Sequence, residues 1–424
     1  MSKKIKIAIN ANIQPNVSST GGVASVLMGL ICALGQLDGP EEFHILGPAA
    51  HNEWLMPYLE KNQKLVRLPH TALSSWLKRE LQNFLMRAPG IYAPSEPALR
   101  ISQGFYESLG CSVIHFPYQE FVLCALPTVY TPHDLQYRHY PQFFTATGIA
   151  ERDRMIHNGC HYAQAITAGS EWIKQDIIRQ YQIPPGKIHV IPWAAPTTVS
   201  ASPAQEMLAA TREKYHLPGS FCIYPAVTWP HKNHLRLLQA LTFLRDHHNV
   251  RVNLVCTGGK VEPSWSEIQA YISENALSDQ VIFLGYIPQQ DLRALYKLAD
   301  FAVIPTLFEA ASGPIFESWQ DAIAVACSNV TSLPEQVQTA GLIFDPYSVE
   351  SIANTIQILA TDRQTRMELA ARGQNRLADF SWERTAKAYR AQYRRLAGVT
   401  LSQEDQELIG WDWMRFPNKS KSKE

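Results

Sequence analysis

The chain lacks most of the features that mark the specialised protein classes. Its 424 residues carry no net charge, with 38 Lys and Arg against 38 Asp and Glu. That excludes the basic footprint that bulk nucleic-acid binding requires. Seven cysteines are scattered and none forms a CxxC pair, a pattern of reduced core thiols rather than of a disulfide frame. No uninterrupted apolar run reaches the roughly 18 residues of a membrane-spanning helix. The opening MSKKIKIAIN has lysines followed by a short strand-like run, and fits neither a signal peptide nor a membrane span. DxD, HExxH, GxxxxGK(S/T), GxSxG and GxGxxG are all absent. No metal and no cofactor is therefore expected, and the dinucleotide fingerprint is missing.

What remains is a chain with 46% hydrophobic residues, too long for one compact domain, in which strand and helix signals alternate. IKIAIN (5–10) alternates in polarity as a strand does, and Val23, Val26, Leu27, Leu30, Ile31 and Leu34 fall at helical spacing after Gly21 and Gly22. FHIL (43–46), SVIHF (112–116), TVYT (128–131), AQAITA (163–168) and IHVIP (188–192) read as further strands, with Ser170 a plausible cap for a helix reaching Tyr181. WAAPTTVSASPAQ (193–205) has a linker's composition. The alternation then resumes through FCIYPAV, RVNLVCT, QVIFLG, FAVIP and IAVACS, and 349–397 reads as helical. The expected class is α/β, with two doubly wound parallel sheets whose ligands sit at the carboxyl ends of strands.

The most informative segment is PTLFEAASGPIFESW (305–319). Glu309 and Glu317 bracket Ser312, Gly313 and Pro314, where a helix is expected to begin. Unpaired N–H groups at a helix start favour anions, and carboxylates are strong acceptors for sugar hydroxyls. The segment therefore suits a sugar joined to a phosphate. In YPAVTWPHKNHLRLL (224–238), Lys232 stands just before a helix, where it could neutralise a diphosphate as a point charge, a solvated loop lysine being the plainer alternative. His133, with Asp134, ends strand TVYT, where it suits hydrogen bonding or proton movement, or a core or capping role. Gly21 and Gly22 allow close backbone approach in the first strand–helix connection.

Taken together, these segments resemble the retaining glycosyltransferases of the GT-B fold, family GT4, the glycosyl transferases group 1 class. The resemblance runs from Lys4 to about Leu396. It is strongest in FEAASGPIFESW, SNVTSLPEQV and AGLIFDP, with GSEWIKQDIIRQYQIPPGKIHVIPW, WPHKNH and VIFLGYIPQQDLRALYKLADFAVIPTLFE at matching positions. It implies an N-terminal Rossmann-like acceptor domain (1–198) and a C-terminal Rossmann-like donor domain (199–380), facing across a cleft. A helix (381–398) would cross back to the first domain; the tail beyond it (399–424), which ends in the charged KSKSKE without apolar periodicity, is expected to be partly disordered. It also implies roles. Glu309 would take the donor sugar's hydroxyls, Glu317 the ribose and Lys232 the diphosphate. Backbone amides around Ser312 and Gly313, beside Pro314, would hold sugar and phosphate. Tyr286, within Leu284 to Ile287, would approach the base, His133 would lie beside the reacting carbon, and Gly21 and Gly22 would be near the phosphate. The chain departs from the family in two places: Glu309-Ala-Ala-Ser-Gly-Pro replaces the usual E-G-F-G-L-P, and no arginine precedes Lys232 within 226–229.

The expected reaction is transfer of a hexosyl unit from a nucleotide sugar, a UDP- or GDP-sugar, to a hydroxyl of a carbohydrate or lipid-linked acceptor. PHDLQYRHYPQFF and WPHKNH are similar to members that build bacterial surface polysaccharide. Two rival readings stand: a GT-B phosphorylase or a sucrose- or trehalose-type synthase, and an inactive sugar-nucleotide-binding subunit. The expected location is the cytoplasm. Trp76, Leu77, Leu81, Phe84 and Leu85, with Lys78, Arg79 and Arg87, make 72–90 a candidate amphipathic helix for peripheral contact at the membrane's inner face, core packing being the alternative.

Overall fold

The computed structural model describes residues 4–13, 21–50, 52–69, 99–195 and 202–411. The candidate membrane helix at 72–90 and the end of the tail, 412–424, lie outside them. Thirteen strands are named among the described residues, in two sheets.

The first sheet contains β1 (Ile5–Asn10), β2 (Glu41–Gly47), β3 (Gln63–Arg67), β4 (Val113–Phe116), β5 (Thr128–Tyr130), β6 (Ala165–Ala168) and β7 (Ile188–Val190), in the order β3-β2-β1-β4-β5-β6-β7. β1 pairs in parallel with β2 on one side and β4 on the other. The strand order therefore reverses between β1 and β4, which makes the crevice outside their carboxyl ends the ligand position of this sheet. The helix Gly21–Gly35 buries Leu27, Leu30, Ile31 and Leu34, the face its spacing predicts. Gly21 and Gly22 form its first residues rather than a free loop. Ser170 caps the helix Glu171–Tyr181 by accepting from the Ile173 N–H at 3.2 Å.

The second sheet contains β8 (Cys222–Pro225), β9 (Leu254–Thr257), β10 (Val281–Phe283), β11 (Phe301–Ile304), β12 (Ala324–Ser328) and β13 (Leu342–Phe344), in the order β10-β9-β8-β11-β12-β13. All five pairings are parallel. Its reversal lies between β8 and β11. The strands are runs of Val, Ile, Ala, Phe and Cys buried on both faces, as parallel strands beneath helices must be.

The helical stretch expected over 349–397 is three helices, Val349–Thr361, Arg363–Leu377 and Trp382–Leu396. Asp362 ends the first and caps the second, its carboxylate accepting from the Thr365 N–H at 3.0 Å. The tail beyond Gly398 begins with another helix, Gln403–Ile409, started by a capping box between Ser402 and Asp405.

By its internal packing the chain divides into two units. The first comprises Met1–Thr167, Ile178–His189 and Ala386–Gly410, and the second comprises Ala168–Ile177, Val190–Thr385 and Trp411–Glu424. Within the first, the last long helix is tied to the strands by polar contacts. Tyr393 Oη lies 2.8 Å from His115 Nδ1, His115 Nε2 lies 2.9 Å from Thr131 Oγ1, and Arg394 pairs with Glu41 at 2.7 Å.

Candidate functional site

The second unit's site is built on its switch point. Lys232 follows β8 and Glu309 follows β11, the two strands between which the order reverses. Lys232 ends a single 3-10 turn, Pro230–Lys232. Asn233 then takes the left-handed conformation, φ 61°, and its Nδ2 donates to the carbonyls of Pro305 and Pro346, each at 2.9 Å. The Leu307 N–H donates to His231 O at 2.7 Å, and the Tyr224 hydroxyl donates to Lys232 O at 2.9 Å. With its backbone pinned to the segment after β11, the Lys232 ammonium forms an ion pair with the Glu309 carboxylate. Both side chains are more than four-fifths buried, so the pair is little screened by solvent.

Glu309 is held from below by the segment 329–336. Its N–H donates to Thr331 Oγ1 at 3.1 Å, and its carbonyl accepts from Thr331 Oγ1 at 2.6 Å and Ser332 Oγ at 2.8 Å. Thr331 sits at φ 51°, a left-handed conformation unfavourable for a β-branched residue. Gln336 closes a two-bond ring with Ser312, accepting from its N–H and donating to its carbonyl at 2.9 Å each. These ties fix the loop in which Ala310 and Ser312 stand at the two glycine positions of the motif.

The helix Gly313–Gln320 starts where expected, with Ser312 at its N-cap and Pro314 in the first turn. The local chemistry differs from the expectation in two ways. The Ser312 hydroxyl makes no capping bond and, although the residue is 1% exposed, has no hydrogen-bond partner among the described residues. Its N–H is taken by Gln336, so this amide is not available to an anion, and Pro314 has no N–H to offer. The Gly313 and Ile315 N–H groups, which lack intrahelical acceptors, and the Ser312 hydroxyl are the donors left at this helix start. Glu317, in the body of this helix, accepts from the Tyr296 hydroxyl at 2.6 Å. Burial raises its pKa, against the hydrogen bond from Tyr296 and the charge of Arg293.

Two histidines flank the lysine. Burial, with the Lys232 charge adding to it, pushes His231 down to about 2 and His234 down to about 3. Both are neutral at ordinary pH, and Lys232 supplies the local positive charge. Tyr286 is 67% exposed, and a Cβ on Gly259 would lie 2.8 Å from its ring. Gly258, at φ 103°, donates its N–H to Gly285 O at 2.8 Å, a conformation that favours glycine.

In the first unit, His133 follows β5 at φ 65° and is buried. Its Nε2 lies 2.8 Å from Pro117 O. A carbonyl only accepts, so Nε2 carries the proton. Burial pushes the imidazole down to about 4, and it is a neutral group. Gly22 is exposed, with open space where a side chain would stand.

The structure thus brings together Lys232, Glu309 and the start of the helix that carries Glu317. Sequence reading gave no role to Asn233, Tyr296, Thr331, Ser332 or Gln336. The last three lie in SNVTSLPEQV, a segment whose resemblance was visible and whose purpose was not. Among the described residues, no group of three or more His, Cys, Asp or Glu side chains is placed to share a metal ion.

Two family models match: Glycosyltransferase Family 4 over residues 107–198, and Glycosyl transferases group 1 over 216–376. The second spans the whole Lys232–Glu309–Glu317 constellation. The chain belongs to the GT4-type glycosyltransferases of GT-B fold. Among curated members, it is 26% identical over 353 residues to the O-antigen chain mannosyltransferase B of Escherichia coli, covering 81% of this chain and 84% of that protein. It is 31% identical over 227 residues to the serotype-specific mannosyltransferase WbdA of Escherichia coli, covering 53% of this chain and only 28% of that protein. Among solved structures of this fold, a sucrose-phosphate synthase from Thermosynechococcus elongatus superposes with a TM-score of 0.65 at 18% identity, over 93% of this chain and 100% of that one. Anabaena HepE in complex with UDP and glucose gives 0.66 at 15% identity, over 92% and 100%. No helix among the described residues is long and apolar enough to cross a membrane.

Proposed function

We propose that this glycosyltransferase moves a mannosyl unit from a nucleotide sugar to a hydroxyl of a growing bacterial glycan, with retention at the anomeric carbon and without a metal. The observation that carries the reading is the Lys232–Glu309 pair at the switch point of the second sheet, beside the start of the helix Gly313–Gln320. The names of the Escherichia coli relatives support mannose and an O-antigen-like product.

In this reading Lys232 neutralises the charge that develops on the leaving diphosphate, and the Gly313 N–H and Ser312 hydroxyl donate to its oxygens. A helix start is a natural seat for phosphate. Glu309 accepts hydrogen bonds from the sugar hydroxyls and orients the anomeric carbon. Glu317, already held by Tyr296, keeps one oxygen for the ribose. The Leu284 to Ile287 segment, with the exposed Tyr286, meets the base. No carboxylate needs to act as nucleophile if the leaving phosphate oxygen takes the acceptor's proton on the same face.

A thermal-shift panel of GDP-, UDP- and ADP-sugars on the purified protein, followed by a transfer assay in the presence of EDTA, tests this. One nucleotide sugar is expected to stabilise the protein, Lys232→Ala to abolish that shift, and Glu309→Ala to remove product. The reading fails if no nucleotide sugar binds and Glu309→Ala leaves product formation unchanged. A parallel screen with inorganic phosphate and free sugars separates it from a phosphorylase or a synthase.

A further inference from the structure

The first sheet has a switch point of its own, lined by side chains that the donor reading does not use. Asn10 is the last residue of β1, and Tyr118 and Glu120 come just after β4, the strand beside it. Asn10 is fully buried, and its side chain is committed. Its Nδ2 donates to Glu120 Oε2 at 3.1 Å, while its Oδ1 accepts from the Asn12 N–H at 3.0 Å and lies 3.1 Å from the Tyr118 hydroxyl. The Tyr118 hydroxyl also donates to Glu120 Oε2 at 2.6 Å. One oxygen of Glu120 is therefore anchored to the sheet floor. The other, Oε1, meets only the Arg100 guanidinium, at 3.5 Å, among the described residues.

A carboxylate oxygen can accept two hydrogen bonds, and a structural carboxylate buried in a polar cluster uses both its oxygens. Here the frame fixes one oxygen and leaves the other at a surface where Glu120 keeps 21% exposure and Arg100 60%. Asn12, exposed, adds an amide on the rim, with its Nδ2 3.5 Å from Oε2. The same frame carries His133, whose Nε2–H donates to the carbonyl of Pro117, the residue between β4 and Tyr118. The position is the one at which a doubly wound sheet takes its ligand.

We propose that Glu120, with Asn12 and Arg100 on the rim, binds hydroxyls of the acceptor sugar, and that the acceptor presents a neutral, hydroxyl-rich sugar there rather than a phosphorylated one. Sugar hydroxyls donate to the surface oxygen of the Glu120 carboxylate and accept from an amide and a guanidinium, whereas a phosphate would meet the Glu120 charge with only the 60% exposed, solvent-screened Arg100 to offset it. Asn10 and Tyr118 are positioning residues. The inference rests on the glycosyltransferase reading and adds to it the acceptor class and the residues that select it.

Saturation-transfer NMR with a panel of methyl α-glycosides (mannose, glucose, galactose and N-acetylglucosamine), together with methyl α-mannoside 6-phosphate, tests it on the full chain. GDP and UDP binding is measured alongside. At least one neutral glycoside is expected to bind the wild type at millimolar concentration, and Glu120→Gln to weaken it about tenfold, the effect of losing a charge-assisted hydrogen bond. Nucleoside diphosphate binding should be unchanged in that variant, which also shows that it folds. In Lys232→Ala the pattern should reverse, with the nucleotide lost and the glycoside kept. Glycoside binding that is absent from the wild type, survives Glu120→Gln, or is weaker than that of the 6-phosphate overturns the acceptor site and leaves the donor reading standing. A wild type that binds no nucleoside diphosphate overturns the donor reading, and this proposal with it.

Discussion

Replacing Glu309 by Gln separates two roles of that carboxylate, partner of Lys232 and acceptor for sugar hydroxyls. The Lys232 ammonium is neutralised by Glu309; a diphosphate arriving there must compete with that carboxylate. Opposite charges about 4 Å apart in an effective dielectric near 20 attract by about 4 kcal/mol. Most of that is offset by the desolvation both groups have already undergone, each being more than four-fifths buried. A net competition of about 1 kcal/mol remains, so Glu309→Gln should bind a nucleoside diphosphate roughly fivefold more tightly than wild type. The same change removes a charged acceptor for the sugar hydroxyls. That loss is worth about 1.5–3 kcal/mol, so transfer should fall by roughly ten- to a hundredfold. Isothermal titration with GDP and UDP, beside initial rates with the full donor, reads the two effects separately. Tighter product binding with slower transfer is the expected signature. Equal or weaker nucleoside diphosphate binding in Glu309→Gln would refute the competition and, with it, Lys232 as the diphosphate's charge partner.

The remaining predictions concern the frame around the sites. Gln336→Ala removes both bonds to the Ser312 backbone; it should lower stability by about 2 kcal/mol and raise the donor KM, read by denaturant melts and initial rates. Tyr393→Phe leaves His115 Nδ1 buried without its hydroxyl partner, and should cost about 1–3 kcal/mol in the same melts. Burial lowers the folded-state pKa of His115 to about 3 and of His133 to about 4, against 6.5 in the unfolded chain. The unfolded state therefore binds more protons once the pH falls below 6.5. The stability these residues contribute is complete above 6.5 and is lost as the pH falls through their folded values. Melting temperatures should drop steadily from pH 6.5 to 4, and less steeply in His133→Asn.

Much of the fold was legible because its signals are local. The helical spacing after Gly22, the alternation in IKIAIN and the continuous apolar strands of the second half each declare an element within a few residues, and each element is present. Strand β3 (Gln63–Arg67) and the helix Ala146–Tyr162 escaped for the opposite reason. QKLVR is a half-exposed edge strand, and ATGIAERDRMIHNGCHY fully buries only Ile156, Gly159 and Cys160. An element that buries little leaves little periodicity to read. The break at Asp362 went unread because it depends on a single capping residue rather than on Pro or Gly.

The sites divide along the same line. Glu309, the helix start and Glu317 lie on one short segment, so their relation could be read from spacing alone. The Lys232–Glu309 pair joins residues 77 apart, and the Asn10–Glu120 bond joins residues 110 apart. No local pattern encodes either, because each follows from which strand ends become neighbours. The parallel sheets supply that information. In each, the first strand lies between the chain's outward path and its return, so two distant loops meet outside the same pair of strand ends. In the second sheet the meeting loops bring a cation to a carboxylate, a combination suited to a ligand that carries both phosphate and hydroxyls. In the first they bring a buried amide and a phenol to a carboxylate whose other oxygen meets the exposed Arg100 at the surface, which suits hydroxyls. The two loop pairs share a topology and differ in burial: Lys232 and Glu309 are both more than four-fifths buried, whereas Arg100 beside Glu120 is 60% exposed, and on that difference rests our proposal of donor chemistry for one and acceptor chemistry for the other.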